Sequence, residues 1–499
     1  MATLAEPVRA ADPVLDRYKR SWIDGRDWTQ PEGRLASNNP ATGAPLGETE
    51  TVGAAGVDAA VASARRAFGS WGRRSVAERK RALHAFADAL ASRAGDLARL
   101  EALEVGRPLG DATMVIGMAP EMLRRYAAMA EGAQGDLIAA EQRQLGVSWR
   151  RPRGVVGAIV PWNFPVMNVM VRIAPALAAG NAIVVKPSEY APRTAVALAQ
   201  IASEAGLPDG VFNVVLGTGP VAGQALAAHR DVDLVTFTGS TKTGLEISRA
   251  AASETLKPVM LECGGKSPQI VLDDAFEDQA IWHPIFFSAF WNTGQWCAAK
   301  TRLLVPRTRV DAAVEGLRAA AAGWRVGDPL AEDTRLGPLV NAAQRDRVAA
   351  FFDEAHRVGT VVALDCPQAE LHPDGCFVSP SVALGQPRGG MLAREEVFGP
   401  LVTVESFDDI NDAVSLANDT DYGLMASIWT NRADLGHRLA REVVAGGITI
   451  HASAEAATAS APDIVGASLE PQKQSGHGVD GGTPGLLAYT TAQSVTWLN

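Results

Sequence analysis

The chain has 499 residues, 46 Lys and Arg against 56 Asp and Glu, 47% hydrophobic residues, 48 Gly, 29 Pro and 4 Cys. This globular composition is long enough for two or three domains and excludes a disordered, collagen-like or mini-protein scaffold. A formal charge of -10 also disfavours nucleic acid as the main partner, since proteins that hold phosphate backbones carry a basic face.

The opening MATLAEPVRAADPVLDRYKR has no apolar core of the kind a secretory signal needs, so residues 1–20 read as a short mobile arm. Trp/Gly turns follow, and then Val57 to Trp71 and Val76 to Glu104 space their apolar residues three and four apart, which predicts amphipathic helices. Met114, Met118 and Met122 form a stripe at four-residue spacing and read as helix packing. Asp136 to Arg151 and Gly485 to Trp497 alternate polar and apolar positions, as a paired, exposed β arm would. Gly154 to Val185 is apolar enough to raise a membrane question, but Pro161, Pro165 and Pro175 break it, and Asn163, Asn168, Arg172 and Asn181 would have to sit in hydrocarbon. It reads as buried core, with no membrane partner.

From Val155 the rhythm changes. VVGAIV, AIVVKP, VFNVVLG, DLVTFTG and VMLECGG are short β-rich runs, each followed by a turn and a helix-like segment. Such alternation predicts parallel βαβ units, an open α/β sheet and ligands at the carboxyl ends of its strands. Polar turns stand at those ends: PWNFP after AIV, KPSE after AIVV, TGP after NVVLG, TGSTKTG after LVTF and ECGG after VML. A second α/β unit runs on to about Ala445, and Ser453 to Gly466, Ala/Ser-rich and without pattern, reads as a loop.

Five groups of residues could carry chemistry. Cys297 ends the turn Asn292-Thr-Gly-Gln-Trp-Cys297, where backbone N–H groups suit a nucleophilic thiol, although a lone Cys is more often a small buried hydrophobe. Glu262, at a strand end beside glycines, fits a general base or a solvated acid. Asn163, between Trp and Phe, could aim its amide at an oxyanion or close an Asx turn. Gly239 to Gly244 could place pyrophosphate on a helix N-terminus, though it lacks both the P-loop ending and the third Gly of the dinucleotide fingerprint. Lys186 and Glu189 could hold a ribose or cap the helix that begins near Pro192. The four cysteines, Cys263, Cys297, Cys366 and Cys376, form no CxxC pair, which predicts a reducing, cytoplasmic setting with neither disulfides nor a metal site.

Together PWNFP, KPSE, FTGSTKTG, LECGGKSP, NTGQWC, EEVFGP and YGLMASIWT resemble, in order and approximate spacing, the NAD(P)-dependent aldehyde dehydrogenase superfamily. The resemblance implies an α/β fold: a Rossmann-type parallel-sheet domain (21–135 and 152–262), a second α/β catalytic domain (263–450), a small β oligomerisation arm (136–151 and 485–499) and a substrate-entrance region (451–484). It implies Cys297 as nucleophile, Asn163 with the Cys297 N–H as oxyanion hole, and Glu262 as the base that activates water for hydrolysis. NAD is implied at Ile159, Pro161, Trp162, Lys186, Ser188, Glu189, Gly219, Gly223, Phe237, Gly239, Ser240, Glu396 and Phe398. The acid at Glu189 favours NAD over NADP, because it would repel a 2′-phosphate. The Glu262 base favours a free acid product over transfer to coenzyme A. The partners implied are a small-molecule aldehyde and further copies of the chain, as a homodimer or homotetramer.

The C-terminal region departs from the family pattern. Ile450-His451 replaces the usual VN, Leu469-Glu-Pro-Gln472 the usual PFGG, and the loop between is about seven residues longer than the family's. Gly478-Val-Asp480 replaces GRE, and Arg172 the usual Lys, so a shorter acid faces a longer base in what would be a proton relay. His451 reads as a hydrogen-bonded loop histidine. Phe286 and Phe290, four apart, read as core, while Phe287, Trp291 and Trp296 would by analogy line the aldehyde tunnel. Such a wall suits an apolar, aromatic or cationic amino aldehyde, and Glu455, Asp463 and Glu470 would help a cation.

Overall fold

The computed structural model describes residues 13–141, 143–459 and 466–498. Runs of apolar and β-branched residues form strands β1 (Val155–Ile159), β2 (Ala182–Lys186), β3 (Phe212–Val214), β4 (Leu234–Thr238) and β5 (Val259–Glu262), which pair in parallel in the order β3-β2-β1-β4-β5. Alternate side chains serve two cores, as the two-residue period of a strand requires. Val156, Ala158, Ile183 and Val185 face one core, with the helices Pro165–Ala179 and Arg193–Glu204. Val155, Ile159, Ala182 and Val184 face the other, with the helix Ala54–Trp71. Burial on both faces explains why these runs are uniformly apolar. The strand order reverses between β1 and β4, and a crevice opens at such a switch point, beyond the carboxyl ends of the strands. Short antiparallel strands, Trp22–Ile23 beside β3 and Gly476–His477 beside β5, extend the sheet.

A second sheet is built from β6 (Pro268–Val271), β7 (Arg302–Pro306), β8 (Ser381–Leu384), β9 (Leu401–Phe407), β10 (Met425–Trp429) and β11 (Gly447–His451), parallel in the order β8-β9-β7-β6-β10-β11. Strands Gly135–Glu141, Gln144–Pro152 and Thr490–Leu498 form an antiparallel arm whose Leu137, Ile138, Trp149 and Trp497 are exposed.

Several expectations need correction. Residues 13–20 are not a mobile arm: Pro13–Arg17 is helical, Leu15 and Tyr18 are buried, and the Arg193 Nε donates to the Leu15 carbonyl at 3.0 Å. The last arm strand starts at Thr490 rather than Gly485, because Gly482–Ala488 forms a helix that buries Leu486. Within Ser453 to Gly466, residues Ala454–Ala459 are helical, and 460–465 lie outside the described residues. Of the methionine stripe only Met122 is core; Met114 and Met118 are exposed. The Gly154 to Val185 segment divides into β1, a buried helix and β2, and among the described residues no helix is long and apolar enough to cross a membrane.

Candidate active site

The turn carrying Cys297 is tightly pinned. Asn292 and Thr293 adopt left-handed backbone conformations, with φ of 53° and 56°, a strain that surrounding bonds must hold. The Thr293 hydroxyl donates to the Gly337 carbonyl at 2.8 Å, and the Asn292 amide donates to the Gln295 carbonyl at 3.1 Å. The Gln295 Oε1 accepts from the Val340 N–H at 2.9 Å. Gly294 has φ of 72°, and a Cβ there would lie 2.2 Å from the Gly399 carbonyl oxygen, so only glycine fits. Gly265 likewise lets the segment after β5 approach, since its Cβ would lie 2.5 Å from the Cys297 carbonyl oxygen. Cys297 is partly exposed. Its thiol is pushed up to about 12 by burial first and by the charges of Glu396 and Glu262 second, against N–H groups at Ala298 and Cys297 itself.

Asn163 lies in the turn after β1, buried against that nucleophile turn. Its Nδ2 donates to the Gln295 carbonyl at 3.1 Å, while its Oδ1 accepts from Asn168 at 3.0 Å, which fixes the orientation of the amide. No side-chain bond to its own turn is formed, so the Asx-turn reading falls away; the second Nδ2 hydrogen remains for a ligand oxygen. The Asn163 carbonyl accepts from Asn292 at 3.0 Å and from the buried Arg107 guanidinium. Arg107 pairs with Glu101 at 3.0 Å and lies 3.9 Å from the Phe164 ring centroid. Glu101 in turn accepts from the Val166 N–H at 2.8 Å. Arg107, Glu101, Asn168, Asn292 and Gln295 therefore hold this corner, and none was assigned to the site from sequence. The signal was charge on an apolar helix face: Glu101 lies among buried positions of Ala94–Val105.

Glu262 ends β5, level with Thr238 on β4 and Gly476 on the other side. Burial, and next the charge of Asp480, hold its carboxyl well above the usual range, with Arg172 pulling the other way. Arg172, buried in the helix Pro165–Ala179, donates to Asp480 at 2.5 Å and to the Thr238 hydroxyl at 3.0 Å. Burial opposes the guanidinium charge, but Asp480, Tyr489 and Glu262 together more than offset it, so Arg172 keeps its proton. Arg172 and Asp480 thus form an ion pair beside Glu262.

The residues assigned to a dinucleotide gather along the carboxyl ends of β1, β2 and β4. Ile159 ends β1, and a Cβ on Gly223 would just touch it at 4.0 Å. Lys186 ends β2, buried, and pairs with Glu189 at 3.2 Å, leaving that acid 31% exposed by side chain. The Ser188 hydroxyl accepts from the Tyr190 N–H at 3.3 Å. Glu189 does not cap the next helix, which follows Pro192 with no side-chain cap. Gly219 faces open space, whereas a Cβ on Gly239 would strike the Phe237 ring at 2.4 Å. Ser240 caps the helix Thr241–Ala251, accepting from the Thr243 N–H at 3.2 Å. Beside this helix start a cleft of about 470 Å³ is bordered by Thr241, Arg394, Tyr422 and Gln474, away from Cys297. Across the crevice Trp162, after Pro161, meets Phe398 edge-on at 5.5 Å. Glu396 accepts from the Gly265 N–H at 2.9 Å, and burial raises its carboxyl to about 7 despite that bond and the Arg347 and Lys266 charges.

An aromatic wall leads outward from the thiol. Trp296 lies 6.5 Å from Phe164 and 5.2 Å from Trp291, which stacks on Phe287 at 5.1 Å. Trp291 also donates to Asp111 at 2.9 Å. Phe287 is 37% exposed, whereas Phe286 and Phe290 are core. His451 is not in a loop: it ends β11 and stacks on Trp429 at 4.2 Å. Glu455 and Glu470 are exposed, and Asp463 lies outside the described residues.

Comparison with known proteins agrees with this geometry. The family model described as "Aldehyde dehydrogenase family" matches residues 28–495. An aminoacetaldehyde dehydrogenase of Pseudomonas aeruginosa is 41% identical over 454 residues, 90% of this chain and 91% of the relative. An NADP/NAD-dependent aldehyde dehydrogenase of Escherichia coli is 38% identical over 83% of both chains. Among solved structures, an indole-3-acetaldehyde dehydrogenase of P. syringae in complex with NAD+ superimposes with a TM-score of 0.91 at 36% identity, covering 96% of this chain and 97% of the other.

Proposed function

Since the chain belongs to the aldehyde dehydrogenase family, we propose that this crevice oxidises an aldehyde to a carboxylic acid through a covalent bond to Cys297, with NAD as acceptor and water as the final nucleophile. The observation that carries the reading is the meeting of three groups. An oriented amide (Asn163) bonds the Gln295 carbonyl, two residues before the thiol (Cys297) in the same pinned turn, and the Glu262 carboxylate lies close enough to raise that thiol.

The dinucleotide assignment fits the residues present. A capped helix start follows β4, Gly219 opens onto free space, and the Lys186–Glu189 pair stands at the carboxyl end of β2, the strand next to β1. Bound there, NAD would supply the hydride acceptor. Glu189 would accept from ribose hydroxyls and disfavour a 2′-phosphate, which supports NAD over NADP.

Cys297 rests as a neutral thiol and passes its proton to the Glu262 carboxylate as its sulfur attacks the aldehyde carbon; Glu262 then releases that proton to solvent before the hydrolytic step. The charge that develops on the carbonyl oxygen falls to Asn163 Nδ2 and the Cys297 N–H, donors already held in place. After oxidation the acyl group remains on the sulfur as a thioester. Glu262, with its raised proton affinity, is suited to take a proton from the attacking water near neutral pH. This base supports hydrolysis over transfer to coenzyme A.

The apolar residues exposed on the three-stranded arm support assembly with further copies of the chain, as a homodimer or homotetramer. The free cysteines suit a cytoplasmic, reducing setting.

The test is reduction of NAD and NADP, offered separately, with a panel of aldehydes and no coenzyme A. We expect NADH and free acid to appear, and Cys297→Ala to abolish both. No turnover by the wild type, or turnover that survives in the variant, overturns the reading.

A further inference from the structure

Lys300 stands three residues beyond the nucleophile and is used by none of the steps above. It is 7% exposed. Its backbone N–H donates to the Ser288 carbonyl at 2.9 Å, next to Phe287, and its Nζ lies 5.4 Å from the Trp296 ring centroid. Among the described residues no carboxylate pairs with it, whereas the buried guanidiniums of Arg107, Arg193 and Arg302 each face a glutamate. Its neighbour His451, flat on Trp429, is pushed down to about 4 by burial and then by the Lys300 charge, so it is a neutral donor and acceptor. Burial lowers Lys300 only to about 8, which leaves it charged at neutral pH.

A buried ammonium without a counter-ion is costly, and an anionic ligand would offset that cost. Lys300 also takes the place over Trp296 that a cationic substrate would need. We propose that Lys300, with His451 beside it, forms an anion subsite along the aromatic wall, and that the preferred substrates are aldehydes whose far end carries a carboxylate. This rests on the oxidation reading above but separates the chain from its aminoacetaldehyde-oxidising relative, whose substrate carries the opposite charge.

The test compares short aldehydes ending in methyl, carboxylate or ammonium. The wild type should favour the carboxylate series in kcat/KM, and Lys300→Met should lower the carboxylate-to-methyl ratio by about tenfold or more, chiefly through KM. Lys300→Arg should keep most of it. Preference for the ammonium series, or a ratio unmoved in Lys300→Met, overturns the subsite. Should no aldehyde be oxidised at all, it is the catalytic reading that fails. The subsite is then decided by whether succinate slows iodoacetamide labelling of Cys297 in the wild type but not in Lys300→Met; equal labelling overturns it.

Discussion

The inner and outer parts of the crevice are built differently. At the inner end Asn163 and Gln295 are each held by at least two hydrogen bonds from other segments and Asn292 by one, with the Arg107–Glu101 pair behind them. At the outer end Phe287, Trp291 and Trp296 meet through ring contacts, His451 rests on Trp429, and Lys300 has no ionic partner among the described residues. Over-determined hydrogen bonds leave one position for the reacting carbon. Ring faces accept many shapes, so selectivity there falls to a few groups. On the proposed reading the first region fixes the reaction and the second the substrate.

The sharpest way to break this division is Asn163→Ala. The Gln295 carbonyl would keep its bond from Asn292, so the nucleophile turn should hold. Loss of one oxyanion donor should lower kcat by about 10²–10³ with little change in KM. Iodoacetamide should still label Cys297 at the wild-type rate. Turnover within about threefold of wild type would place the oxyanion elsewhere.

How far each region was legible in the sequence follows the same line. Strand ends could be read because apolar runs stop at polar turns, so Asn163, Lys186, Ser240 and Glu262 could be placed at carboxyl ends before any coordinates. The supporting bonds could not. Arg107 meets the Asn163 carbonyl across 56 residues, and Trp291 meets Asp111 across 180, distances over which no local pattern carries information. At the outer end the helix Ala454–Ala459 has too many alanines to show an apolar period. Its signal was propensity together with a cap, since the Ser453 hydroxyl accepts from the Ala456 N–H at 3.2 Å. The Leu15/Tyr18 spacing near the N-terminus was a similar small sign, outweighed by the polar residues around it.

Asp480→Asn probes the boundary between the regions, because this residue arrives on the C-terminal segment yet acts on the inner base. After burial, the Asp480 charge is the largest contribution raising the proton affinity of Glu262. Neutralising it removes that repulsion and frees the Arg172 charge to favour the carboxylate, and both effects lower the Glu262 pKa. The base is then ionised at lower pH. The acidic limb of thioester hydrolysis should move down on the order of one pH unit, while the weaker base slows the plateau. Single-turnover hydrolysis across pH reads both effects. An unmoved limb would reduce Asp480 to a structural partner of Arg172.

The smallest effect belongs to Phe287→Ala at the outer rim. Phe287 is half-exposed and stacks on Trp291, which keeps its own bond to Asp111. Removing the ring should leave kcat nearly unchanged and raise KM for bulky apolar aldehydes by about three- to tenfold, the range of an aromatic contact. Short aldehydes, which do not reach the rim, should be unaffected. A fall in kcat for short and bulky substrates alike would mean that the wall holds Trp296 and the thiol in register, and that the two regions are mechanically one.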